Sequence, residues 1–226
     1  KSDDYGDSWT IVTFTGPSAM TMDLSIYNGV EYIGSSTIIL VGKQIVNNTS
    51  IILKSSDSGA TWNIVHLGTS GTGDEIKNVK FYDSLKGIAV GANGKVYTTN
   101  DGGDSWTIVA TGTTNLLNDV TYISSTKIVV CGSHTILTSI TSGSTWSIDN
   151  YAGKYFRSID YDPSSSLQLT CFYTDGSESF ISSSIDEGVS WTDISVTSNN
   201  DLTHINDSDT IFVGGWGGID VSFNDG

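Results

Sequence analysis

The sequence predicts an all-β fold, a β-propeller of four-stranded antiparallel blades, as a single domain over residues 1–226. Three observations predict it. An eight-residue box recurs at nearly regular intervals. Four short β-branched or aromatic runs lie between one box and the next. The composition is that of an all-β surface, with 25 Gly, 2 Pro and 15% charged residues. A fixed period of this length is the mark of a repeat architecture, and four short strands per repeat around a ring is the make-up of a propeller blade.

The box reads Ser2-x-Asp4-x-Gly6-x-Ser8-Trp9, then Ser55-x-Asp57-x-Gly59-x-Thr61-Trp62, Thr99-x-Asp101-x-Gly103-x-Ser105-Trp106 and Ser184-x-Asp186-x-Gly188-x-Ser190-Trp191. A worn copy, Ser139-x-Thr141-x-Gly143-x-Thr145-Trp146, has lost its Asp, and Asn224-Asp225-Gly226 begins a sixth. Physically the box is a hairpin clasp. Asp accepts backbone N–H bonds within a tight turn, Gly takes the φ > 0 position that the turn needs, and the Ser/Thr hydroxyls add bonds to the backbone. The Trp opens the next strand and packs at the blade edge. Repetition in every blade makes these residues structural rather than catalytic.

The copy ending at Trp106 shows the strands most clearly. They are residues 78–81, 87–91, 95–99 and 106–109, each bounded by Gly, Asn, Asp or Ser. Aligning the repeats places Val41, Val90, Cys131, Cys171 and Val213 at one position, with Gly42, Gly91, Gly132 and Gly214 after four of them. A lone four-stranded sheet cannot bury both faces, so neighbouring blades must stack. The chain opens with a box and a fourth strand, Trp9–Phe14, and closes with a third strand, Ile219–Phe223. Pairing of the two ends would close a five-bladed ring and remove its exposed edges. The alternative is five repeats of a larger propeller or array.

The box resembles the Asp-box, or bacterial neuraminidase repeat, of sialidases, sortilin-type receptors, some xyloglucan hydrolases and many secreted proteins. The longer run Phe81-Tyr82-Asp83 … Gly87-Ile88-Ala89-Val90-Gly91 … Gly94-Lys95-Val96-Tyr97 … Asn100-Asp101-Gly102-Gly103-Asp104-Ser105-Trp106 is similar to the photosystem II assembly and stability factor family. This resemblance covers nearly the whole chain and implies the propeller. It implies less about activity, because function lives in sites grafted on folds. That family is thought to use an arginine-rich patch. This chain has one arginine, Arg157, so no residue carries over from it.

Charge excludes several functions. The net charge is −15, from 25 acidic and 10 basic residues. A nucleic-acid binder needs a basic stripe to neutralise phosphates, and none is present. No run of eighteen apolar residues offers a membrane span. Cys131 and Cys171 read as buried small hydrophobes standing where other blades use Val. His66, His134 and His204 have no ligand spacing, and no Cys-x-x-Cys occurs, so neither a metal site nor a cofactor is expected. Asn47, Asn48 and Asn206 match the glycosylation pattern, which short Ser/Asn-rich stretches often do by chance.

No catalytic set emerges. The sialidases that share this box hold the substrate carboxylate with three arginines, and a single Arg157 cannot do so. Glycoside hydrolysis needs two carboxylates about 5–10 Å apart. Asp74, Glu75, Asp119, Asp160, Asp162 and Asp201 offer candidates, but no spacing selects a pair.

What remains is one face of loops, joining second to third strands and fourth strands to the next blade. The first set holds Lys43, Asn93, His134, Tyr173, Asp175 and Trp216. The second holds Asp74-Glu75, Asn115-Leu116-Leu117 and 150–157, with Tyr155, Phe156 and Arg157. Trp216 stands between four glycines and suits stacking on a sugar or a partner side chain. The expected ligand or partner contacts are Trp216, Tyr173, Asp175, His134, Tyr155, Phe156 and Arg157. The reading is a non-enzymatic binding or scaffold module, extracellular or on a cell or virion surface, recognising a protein partner or larger assembly. The alternatives are a lectin-like glycan binder and a fragment of a glycoside hydrolase.

Overall fold

The computed structural model describes residues 7–8, 25–164 and 169–196, and the backbone of the three strands between 203 and 223. Its regular structure is antiparallel sheet plus one short 3-10 turn, Ala92–Gly94. The first sheet runs β1 (Ser25–Ile33), β2 (Thr37–Gln44), β3 (Thr49–Ser55), β4 (Asn63–Leu67). The second runs β5 (Ile76–Phe81), β6 (Gly87–Gly91), β7 (Val96–Thr99), β8 (Thr107–Val109). A six-stranded sheet follows, built from β9 (Leu117–Tyr122), β10 (Ile128–Ser139), β11 (Ser147–Tyr161), β12 (Leu169–Thr174), β13 (Ser179–Ser184) and β14 (Thr192–Val196). Last come β15 (Thr203–Asp207), β16 (Thr210–Gly215) and β17 (Gly218–Phe223). No helix among the described residues is long and apolar enough to cross a membrane. The N-terminal strand Trp9–Phe14 and the box residues Asp4, Gly6 and Trp9 lie outside the described residues.

The six-stranded sheet is two repeats joined by one strand. Asn150 to Ser147 of β11 pair with Thr135 to Thr138 of β10, and Tyr155 to Tyr161 pair with Thr174 to Leu169 of β12. The segment 150–157, expected as a loop, is therefore strand. Tyr155 and Phe156 have cross-strand partners in β12, and Phe156 is buried, which holds the backbone extended.

The four boxes within the described residues are the clasps the sequence predicts. Asp57 Oδ1 accepts the Thr61 amide at 2.8 Å and the Ser55 hydroxyl at 2.8 Å, while Oδ2 accepts the Thr61 hydroxyl at 2.6 Å. Ser55 Oγ in turn accepts the Gly59 amide at 2.8 Å, and Trp62 Nε1 donates to the Gly59 carbonyl at 3.0 Å. Asp101 and Asp186 repeat the carboxylate bonds. Gly59, Gly103, Gly143 and Gly188 have φ of 83–91°, the left-handed conformation that only Gly adopts freely. Trp106 and Trp146 bond their box Gly as Trp62 does, whereas the buried Nε1 of Trp191 has no partner.

A second local rule links sequence to fold. Gly42, Gly91 and Gly132 each face a bulge in the first strand of their repeat, where register slips past Asn28, Lys77 and Asn118. A Cβ on Gly42 would lie 1.9 Å from the Ile26 carbonyl oxygen, on Gly91 2.0 Å from that of Glu75, and on Gly132 2.2 Å from that of Leu116. Two bulged residues then become pegs. Asn28 Nδ2 donates to the Ile76 carbonyl at 2.8 Å, and Asn118 Nδ2 to the Phe156 carbonyl at 2.6 Å, each in the next repeat.

The register corrects one alignment. Leu169 pairs with Ser184 as Gly87 pairs with Thr99 and Ile38 with Ser55. Counting from these box partners, Phe172 and not Cys171 is the counterpart of Val41 and Val90, and Tyr173 stands where the other repeats place Gly. Cys171 sits one residue earlier, and both cysteines are buried and free.

The core lies between repeats. One cluster joins Ile39, Val41 and Ile52 to Ile76, Val79, Ala89 and Tyr97. The next joins Ile88, Val90 and Val96 to Leu117, Val120, Ile128, Val130 and Leu137. The third joins Val129, Cys131 and Ile136 to Phe156, Ile159, Leu169, Cys171 and Tyr173. First strands also touch directly. Asp119 accepts the Asn78 side-chain amide from one neighbour and the Ile159 backbone amide, at 2.9 Å, from the other. Stacking of this kind buries faces that one sheet cannot cover alone.

Candidate partner-binding face

The loop face carries two clusters built by adjacent repeats. The first lies between the first and second sheets. Asp74 is buried and accepts from Asn93 Nδ2 at 2.9 Å and Lys95 Nζ at 2.5 Å. Burial opposes its charge, and the bonds from Lys95, Thr72 and Asn93 outweigh burial and lower its pKa. Beside it, Tyr97 donates to Ser50 Oγ at 3.2 Å, and Ser50 Oγ lies 3.2 Å from His66 Nε2. Burial and the Lys95 charge hold the His66 imidazole below its ordinary pKa.

The second cluster is aromatic and lies between the third and fourth repeats. Tyr173 is buried, stacks on Phe180 with ring centroids 4.9 Å apart, and meets Phe156 at 5.2 Å. Tyr151 packs edge-on against Phe156 at 5.4 Å. The Lys154 ammonium sits 4.3 Å from the Tyr173 ring centroid and 5.9 Å from that of Tyr151. It also bonds Asp193 Oδ2 at 2.7 Å. Asp193 further accepts Tyr173 Oη at 2.8 Å and Ser182 Oγ at 2.6 Å. One polar line thus crosses β11, β12, β13 and β14. Burial opposes both charges, but their mutual attraction together with the bonds from Tyr173 and, for Asp193, Ser182 outweighs it, raising Lys154 and lowering Asp193.

The structure divides the expected contact residues by exposure. Tyr155 is 38% exposed and its ring lies 4.4 Å from His134, which holds φ of 63° and a buried Nδ1 without a partner. Arg157 is exposed on β11. Asp175 is exposed and caps its own turn, accepting the amides of Ser177 and Glu178 at 2.9 Å. Phe156 and Tyr173 lie beneath this surface as packing. Trp216 lies outside the described residues. Sequence reasoning missed Asp193, Ser182 and Phe180. The link from Lys154 to Asp193 spans 39 residues, and no local pattern signals it.

The candidate acids are occupied as acceptors. Glu75 takes Asn28 and Lys77, both at 2.8 Å. Asp119 takes three donors, and burial still pushes it up to about 6. Asp160 accepts the Tyr161 amide and Asp162 the Ser164 amide, and Asp201 lies outside the described residues. Among the described residues no group of three or more His, Cys, Asp or Glu could hold a metal ion.

The profile of a family described as photosynthesis system II assembly factor YCF48 matches residues 1–226. No curated protein matches the chain in sequence. Solved structures share its fold at low identity. A structure described as YCF48 bound to D1 peptide is 19% identical with a TM-score of 0.70, covering 92% of this chain and 67% of that one. YCF48 from Cyanidioschyzon merolae is 14% identical with a TM-score of 0.67, covering 91% and 68%. A GH74 enzyme of Niastella koreensis is 17% identical with a TM-score of 0.64, covering 83% of this chain but 33% of its own.

Proposed function

The chain belongs to the photosynthesis system II assembly factor YCF48 family, and from that premise we propose that it is a non-enzymatic binding propeller that recognises a protein partner through its loop face. The observation that carries this reading is the family match over the whole chain, to a family described as an assembly factor. The YCF48 structure with a bound D1 peptide supports a peptide-like partner. On this reading Tyr155, Arg157 and Asp175 present the contact surface. His134, Tyr173 and Phe156 hold it in place, and Trp216, outside the described residues, is a further contact residue of the same proposal. An extracellular or surface location belongs to the same proposal and rests on the resemblance of the box to that of secreted proteins.

The blade count is part of this reading. Five repeats closing through Trp9–Phe14 is one arrangement. A larger ring is the second, and a specific observation favours it. Val30 and Tyr32, on one face of β1 beyond the Asn28 bulge, are 62% and 55% exposed. That face is of the kind the other first strands bury against a neighbouring repeat.

The test is binding of the purified chain to a peptide array that includes D1 peptides, with a glycan array in parallel. Selective peptide binding, weakened by Tyr155→Ala or Arg157→Ala and unchanged by Asp104→Ala on the opposite face, supports the reading. Binding to glycans alone overturns it in favour of a lectin, and turnover of a glycan overturns it in favour of a hydrolase.

A further inference from the structure

Three features surround the Lys154 ammonium: the Tyr173 face at 4.3 Å, the Tyr151 ring at 5.9 Å and the Asp193 carboxylate at 2.7 Å, with Phe156 packed on both tyrosines and Phe180 on Tyr173. Aromatic faces beside a carboxylate are the chemistry that recognises an organic cation, because ring quadrupole and charge both attract it. Here the cation belongs to the chain itself.

The backbone that carries Lys154 is the least tied part of β11. Pairing with β10 jumps from Asn150 opposite Thr135 to Tyr155 opposite Ser133, so residues 151–154 bulge out of the ladder. Gly153 within the bulge has φ of 84°, and a Cβ there would meet nothing within 4 Å. Tyr151 shares this bulge and packs edge-on against Phe156, whereas the other two walls are fixed. Tyr173, Ser182 and Asp193 lie on three successive paired strands, and Tyr173 and Ser182 bond Asp193 without help from Lys154. The Lys154 and Asp193 side chains keep 28% and 36% exposure, so the cage opens to solvent. A net charge of −15 favours the approach of cations.

We propose that Tyr151, Tyr173 and Asp193 form a binding cage for a lysine side chain of a partner protein, and that Lys154 fills it as an internal stand-in until the partner displaces it. The inference takes its location from the loop-face reading above. The displacement scales the apparent affinity down to the fraction of time the cage stands free of Lys154, which makes the site selective for partners with further contacts.

The probe is n-butylammonium, a lysine side-chain mimic, followed through the Tyr ring resonances in the full chain. Lys154→Ala empties the cage, and Lys154→Gln keeps most of the stem without the charge. The expected result is a saturable shift of Tyr151 and Tyr173 in both variants, at least about tenfold tighter than in the wild type, an increment of about 1.4 kcal/mol. Adding Asp193→Asn abolishes it. Variants with native spectra that bind no tighter than the wild type, or not at all, overturn the proposal. Tetramethylammonium and a lysine-containing peptide form the second comparison. Tighter binding of the peptide supports the lysyl assignment, and tighter binding of tetramethylammonium overturns it. A chain that binds a partner peptide but leaves the cage empty fails here alone. A filled cage in a chain without a protein partner fails only the broader reading.

Discussion

Thr141 Oγ1 accepts the Thr145 amide at 2.9 Å, in the place where Asp57 Oδ1 accepts the Thr61 amide at 2.8 Å. One hydroxyl oxygen thus replaces one carboxylate oxygen, and it reaches the Thr145 hydroxyl as well, at 2.8 Å. What it cannot supply is the second, charged acceptor. Thr141→Asp should therefore stabilise the chain by about 1 kcal/mol through charge-assisted bonds, about 2–4 °C in Tm at this length. Thermal unfolding checks it, and a lower Tm would show that the third clasp is closed by something other than the box.

Gly91 is fixed by close approach. The Glu75 carbonyl lies 2.0 Å from where a Cβ would stand. Gly91→Ala must displace β5 or abandon its bulge, at a cost of about 1–3 kcal/mol for forced overpacking. Urea midpoints of Gly91→Ala and Gly132→Ala should both fall, and an unchanged midpoint in either would remove the bulge from the reasons for its glycine.

Asp119 gives the chain a pH dependence. Burial raises its carboxyl from 3.8 to about 6, against the bonds from Ile159, Val120 and Asn78. A carboxyl raised on folding binds more protons in the native state between those two values. Its contribution is full below about pH 4 and is lost as pH rises through about 6. His66, lowered from 6.5, acts in the opposite sense, losing its contribution as pH falls. The difference in urea midpoint between wild type and Asp119→Asn isolates the first effect. The variant should lack the decline between pH 4 and 6. It should also be less stable throughout by about 1–3 kcal/mol, because its new N–H faces a backbone donor. Parallel pH profiles would refute the assignment.

Cys131 and Cys171 should be silent thiols. Both are buried, and burial raises both well above the ordinary range. Since the thiolate is the reactive form, alkylation should follow unfolding and accelerate in step with added urea. Labelling of either cysteine at a rate independent of urea would contradict the burial of that thiol.

The fold was legible where the chain repeats itself. The boxes announce their own hairpins because every bond in them is local, within four residues of Asp57, Asp101 or Asp186. The glycines after Val41, Val90 and Cys131 were visible, but their reason was not, since it lies in a carbonyl one strand away. Residues 150–157 were misread as a loop because their polar and glycine content masks a strand whose cross-strand partners come from the next repeat. Cys171 is displaced by one residue in the sequence alignment because it and Phe172 are both buried hydrophobic residues, and only the pairing of Leu169 with Ser184 separates them. Of the candidate site, the aromatic content was visible in Tyr155, Phe156 and Tyr173. Which rings face outward depends on the register of β11 against β12, which no local pattern encodes. The Lys154–Asp193 pair joins strands that share no motif.

Strand β11 belongs to two repeats at once. Between the first and second sheets, and between the second and third, a turn or loop intervenes, so a fluctuation can open one repeat and stop at the connection. Between the third and fourth repeats the same backbone supplies both hydrogen-bond ladders. In a stack held together by nearest-neighbour coupling, that junction should behave as a welded joint. The two repeats would exchange amide hydrogens as one unit, and a nick or new terminus near Tyr151 would weaken both.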